Sequence, residues 1–222
     1  MTENLENPEL LIDCVEKING RVVERAQLGE DDLDFLLCRH GQQTYVIREH
    51  PEQDFYEISF IYGLISDISG HLDESIVRKL TGSPPEGALD SSEDSEIEEE
   101  IKKNDEASFA IIEEGEQMPP EMEASKKLLE SIDDEIMEHF KFNLFQELSN
   151  PLVATEIYST EKGALKSFRI EKKTFPNDDG FNLTEFNRSV QAVVSIGVFG
   201  KNTISSQLIP EIESRLEEKE DE

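Results

Sequence analysis

Apolar residues recur along this chain at two spacings, and the changes from one spacing to the other divide it into elements. The stretch from Leu165 to Phe199 holds both. Phe168 and Ile170 alternate with Lys166 and Lys172, as a half-buried strand requires, and Pro176-Asn177-Asp178-Asp179-Gly180 stops that strand in a turn. Asn182 followed three residues later by Glu185 marks a helix entry, because the amide oxygen and the carboxylate can each accept a free first-turn N–H. Leu183, Phe186, Val190, Val193 and Gly197 then share one face, which predicts a helix from Leu183 to Ile196.

The N-terminal part reads in the same way. Pro8 opens a helical pattern carried by Leu11, Ile12, Val15 and Ile18, and Asn19-Gly20 ends it. Strands follow at Arg21 to Leu28, at Leu33 to Arg39 and at Thr44 to Glu49, with a hairpin turn at His40-Gly41-Gln42-Gln43. Phe55 to Ile65 predicts a fourth strand, and Asp73 to Leu80 a short helix. Further on, Leu128, Ile132, Ile136, Phe140, Leu144 and Leu148 fall four apart. This predicts one long helix from Glu121 to Leu148, stopped by Ser149-Asn150-Pro151. A hairpin of Leu152 to Tyr158 and Leu165 to Phe175 turns at Glu161-Lys162-Gly163.

Between these halves the composition changes. Residues 83–120 carry 13 acidic and 2 basic residues, with Ser and acid almost throughout Ser91 to Glu100. Such a segment buries too little apolar area to offset its conformational entropy, so it is expected to be a disordered insertion. Within it Phe109-Ala110-Ile111-Ile112 is an apolar island, either an edge strand of its own domain or a linear motif that adds to a partner's sheet. The expected organisation is one α+β domain: residues 1–82, the insertion 83–120, residues 121–210, and an acidic tail at 211–222. An antiparallel sheet is packed by the Glu121 to Leu148 and Leu183 to Ile196 helices.

Charge narrows the function classes. The 222 residues hold 21 Lys plus Arg against 51 Asp plus Glu, a net of -30. A field of that sign repels nucleic-acid phosphates and anionic lipid headgroups, so the expected partner is a protein, with no nucleic acid and no membrane. Salt adaptation is the alternative source of the acidity. The two cysteines, Cys14 and Cys38, make neither a disulfide framework nor a metal cluster and suit burial in a reducing compartment. Without a signal-like N-terminus or a membrane-spanning apolar run, a cytoplasmic protein is expected.

Catalytic chemistry has little to stand on. The sequence holds no Gly-rich phosphate loop, no Gly-x-Ser-x-Gly, no His-Glu-x-x-His and no Cys-x-x-Cys. His40, His50, His71 and His139 are isolated from one another. Asp31, Asp32 and Asp34 have oxygens suited to a hard cation but lack the other ligands of a calcium loop, and Asp178 and Asp179 read as turn formers. Ser91, Ser92 and Ser95 stand among acids as phosphorylation candidates. No catalytic residue, cofactor or metal ligand is assigned. A small enzyme with a carboxylate-held metal remains an alternative motivated only by the surplus of acids.

The order of elements, with Asn19-Gly20-Arg21-Val22-Val23, Asp34-Phe35-Leu36-Leu37, Tyr56-Glu57-Ile58-Ser59-Phe60, Leu128 to Leu148 and Phe168-Arg169-Ile170-Glu171-Lys172-Lys173, resembles the chaperone fold of type III secretion systems. It is also similar to bacterial sensory-transduction-regulator-like proteins and to uncharacterised archaeal families. The resemblance implies binding: such chaperones are small, acidic and usually dimeric, and wrap a partner's extended segment across apolar surface. The expectation is therefore a non-enzymatic, chaperone-like or regulatory interaction protein. Phe109, Ile111, Ile112, Phe140 and Phe145 are its candidate partner-binding residues, and the Glu121 to Leu148 helix its candidate homodimer surface.

Overall fold

The computed structural model describes residues 8–28, 33–50, 55–82, 118–175 and 182–220. Its sheet has six antiparallel strands in the order β1-β2-β3-β4-β6-β5: β1 Arg21–Leu28, β2 Leu33–His40, β3 Gln43–His50, β4 Phe55–Gly63, β5 Ala154–Ser159 and β6 Leu165–Thr174. Helices are α1 Pro8–Lys17, α2 Leu64–Ser69, α3 Glu74–Thr81, α4 Pro120–Leu129, α5 Asp134–Leu148, α6 Leu183–Gln207 and α7 Ile209–Glu220. The class is α+β, as the alternating and helical spacings predict. The described residues pack as two compact units. One lies within Met1–Phe60, Glu147–Glu156 and Arg169–Asn202, the other within Ile61–Gln146, Ile157–Phe168 and Thr203–Glu222.

In the first unit, β1, β2, β3 and β4 form consecutive antiparallel pairs, with Cys38 opposite Tyr45 and Ile47 opposite Ile58. A break in register between Val22 and Glu24 marks a bulge in β1. Asn19 has φ 63, the left-handed conformation that Asn tolerates, and so lets α1 end and β1 begin within three residues. Leu11, Cys14 and Val15 of α1 and Ile18 just after it are buried, as are Phe186, Val190, Val193 and Val194 of α6. At the start of α6, Asn182 Oδ1 accepts the Glu185 N–H at 3.1 Å, the cap expected from the spacing, while the Glu185 carboxylate pairs with Arg188 at 3.4 Å.

The second unit surrounds α4, against which α2, α3 and α7 pack. Tyr62 lies against Phe168 with ring centroids 5.5 Å apart and donates its hydroxyl to Asp67 Oδ2 at 2.7 Å. Lys127 of α4 donates to the Leu80 carbonyl near the end of α3, at 3.1 Å. The β5–β6 turn closes through Thr160 and Ala164, with Gly163 at φ 88, and Lys141 of α5 donates to the Gly163 carbonyl at 2.7 Å.

Four expectations need correction. The Glu121 to Leu148 stretch is two helices. The chain tightens as the Ser131 N–H bonds Leu128 O, the Ser131 hydroxyl takes the same carbonyl at 2.7 Å, and Asp133 Oδ1 caps the next helix by accepting the Glu135 N–H at 2.9 Å. β4 stops at Gly63 rather than Ile65, because Leu64, Ile65 and Ile68 bury themselves on helix α2. The C-terminal helix runs on to Gln207, past Ile196. The supposed acidic tail begins as α7, with Ile212 buried. Pro119 and Pro120 belong to the entry of α4, and residues 83–117 lie outside the described residues, as do Asp31, Asp32, Asp178 and Asp179.

α6 continues through Gly197 because a glycine is required there. A Cβ at 197 would stand 2.3 Å from Phe60 Cδ1, well inside van der Waals contact, so the Phe60 ring of β4 packs directly on the bare backbone of α6 at this position. Gly197→Ala is therefore expected to destabilise the protein by about 1–3 kcal/mol in chemical denaturation, and Phe60→Leu in the same chain to recover part of that loss.

Candidate functional site

Two clusters of polar and apolar side chains stand out, one in each unit. In the second unit, α5 and the junction of α6 with α7 enclose a groove of about 490 Å³, lined by Asp133, Glu135, Ile136, His139, Phe140, Asn143, Gln207, Leu208 and Glu211. The junction exists because Pro210 has no N–H to continue the helical ladder, and Leu208, between the two helices, is carried inward and buried. Phe140 and Leu208 form the buried floor, while Ile136 is 44% exposed at the rim. Asp133, Glu135 and Glu211 supply three carboxylates, and among the described residues no Lys or Arg lines the groove. Arg215 approaches Glu211 from the next turn of α7, at 3.3 Å. His139 meets Asn143 at 3.1 Å across one turn of α5.

The first unit holds an ionic cluster on the sheet. Arg169 of β6 pairs with Glu57 of β4, lies 3.1 Å from Glu171 and reaches Glu156 of β5 at 3.9 Å; His50 Nε2 is 3.5 Å from Glu57. Glu57 is buried. Burial raises the Glu171 pKa. Arg169 opposes that rise, but Glu57 and Glu156 add to it, and the net displacement is upward. His50 stacks on Phe55 at 4.5 Å, and Lys173 stands 4.6 Å over the same ring. Three carboxylates sharing one guanidinium make a structural ionic network. None of these contacts pairs a base with a nucleophile.

The other histidines are dispersed. His40 meets Gln191 at 3.1 Å, and His71 is exposed. Cys14 and Cys38 are free and buried, and burial pushes the Cys38 thiol up to about 12, against a smaller opposing pull from Tyr45. Among the described residues no group of three or more His, Cys, Asp or Glu is arranged to hold a metal ion, and no helix is long and apolar enough to cross a membrane.

Of the two candidate partner-binding residues that are described, Phe140 lines the groove and Phe145 does not. Phe145, five residues on, falls about 140° round the same helix at 100° per residue and is 48% exposed there, with Phe142 beside it. Phe109, Ile111 and Ile112 lie outside the described residues. The other lining residues were not assigned a role from sequence. Ile136 carried a signal in the four-apart stripe, but Leu208 joins it from more than sixty residues away, and Glu211 read as part of an acidic tail.

The sequence matches no protein-family model and no curated protein. The fold is similar to that of an uncharacterized protein from Methanothermobacter thermautotrophicus in its crystal structure, with a TM-score of 0.53 and 8% identity over 89% of this chain and 96% of that one. At that identity the likeness is one of fold.

The Glu171 environment sets a pH dependence of defined sign. A carboxyl whose folded pKa is raised stabilises the fold below its unfolded pKa, and that contribution is lost as pH rises through the folded value. Glu171→Gln is therefore expected to raise the denaturation midpoint at pH 7, with the gain over wild type disappearing below about pH 4, the ordinary carboxylate range.

Proposed function

We propose that this chain is a non-enzymatic interaction protein, chaperone-like or regulatory, that takes a segment of a partner protein into the groove between α5 and the α6–α7 junction. The observation that carries this reading is the groove itself: exposed Ile136 and carboxylates rim a concave surface whose floor, Phe140 and Leu208, is buried and apolar. Among the described lining residues, apolar, acidic and amide groups suited to binding predominate. The resemblance in element order to type III secretion chaperones agrees with such a role in the cytoplasm. Pairing of two copies through α5 would use its outward side, where Phe142 is 59% exposed.

Affinity capture from cells of the source organism at native salt tests the reading. Wild type is expected to retain a partner that Ile136→Asp loses, since a charge at the rim opposes apolar docking without disturbing the buried floor; equal capture by both would remove the groove from the proposal. Light scattering of Phe142→Glu against wild type reads the pairing of copies.

A second reading rests on the acid surplus, 51 Asp plus Glu against 21 Lys plus Arg. The chain is then salt-adapted and its charge says nothing about a partner. Urea denaturation with rising potassium chloride is expected to show a midpoint that climbs through the molar range if so, and to level off once simple screening is complete if not.

A further inference from the structure

The groove's walls restrict what can fill it. Both are helical, so an extended segment would find no sheet edge to extend. A helix brings its backbone already satisfied and presents apolar side chains three and four residues apart, the separation at which Ile136 and Phe140 themselves stand on α5. The rim then selects by charge. Asp133, Glu135 and Glu211 line the groove with no lysine or arginine among the described lining residues, Arg215 reaching Glu211 only from outside the lining, inside a chain of net charge -30. This chain's own apolar island, Phe109 to Ile112, is flanked by acids, and a second copy carries the same acids, so both meet like charge here.

Resting on the docking reading above, we propose that the occupant is a cationic amphipathic helix of a partner protein. Its apolar ridge lies on exposed Ile136, over the floor that Phe140 and Leu208 form, and its lysines or arginines face Asp133, Glu135 and Glu211. Because those carboxylates sit at the rim, they contribute orientation and association rate more than affinity, and binding weakens as salt rises.

The test uses the full chain and two fluorescent synthetic helices that share one leucine ridge, one with lysines and the other with glutamates on the remaining face. Anisotropy is measured at about 0.05 and 0.5 M sodium chloride, where the screening length falls severalfold. The lysine helix is expected to bind wild type and to lose about tenfold in affinity to Glu135→Lys/Glu211→Lys. A reversal of equal charge outside the groove, Glu161→Lys/Glu185→Lys, is expected to cost about twofold or less. Equal losses from the two double variants would reduce the effect to net charge and overturn the proposal. Binding of both helices alike, insensitive to salt but abolished by Ile136→Asp, would overturn the cationic partner while leaving the docking site standing. Binding unchanged by Ile136→Asp would remove the docking site itself, and no binding of the lysine helix overturns the proposal. Circular dichroism of each variant establishes that it is folded.

Discussion

Phe60 lies so close to the backbone of α6 that residue 197 has room for a hydrogen and nothing more. That single approach fixes the first unit. It sets where along its length the helix meets β4 and which side faces inward, so that Phe186, Val190, Val193 and Val194 are all buried. The Asn182 cap fixes the start of the same helix. With one end capped and one point pressed against a strand, α6 cannot slide or rotate without losing one or the other.

How much of this was legible in the sequence depended on how local each cause was. β1 matched its predicted limits, and α1, β2, β3, β5 and β6 came within one or two residues of theirs, because alternation, Asn19-Gly20, Gly41 and Gly163 all act over a few residues. The break between α4 and α5 was hidden because Ile132 keeps the apolar period while the backbone around it leaves the helix; the only traces were Ser131 and Asp133, residues whose side chains compete for backbone bonds. The groove was harder still. Its floor pairs Phe140 with Leu208, brought together by packing that no local period records, and the same helical pattern that drew attention to Phe140 also drew it to Phe145, on another side of α5.

The acid surplus has two different structural consequences. Within the sheet, Glu57, Glu156 and Glu171 gather around one arginine, where burial and mutual repulsion work against ionisation of Glu171. Around the groove, carboxylates stand at the rim over apolar side chains, with water still able to reach them. The same residue type thus strains the fold in one place and stands solvated at a groove rim in the other. Solvent exposure separates the two cases.

Lys127 closes a circuit of another kind. Its bond to the Leu80 carbonyl joins α4 to the end of α3, and the chain between these packed helices leaves at Gly82 and returns at Met118. Gly82 and Met118 are therefore both held beside one pair of packed helices. Because the bond joins residues 47 apart in sequence, the pairing of α3 with α4 is a non-local contact that closes only once both helices have formed.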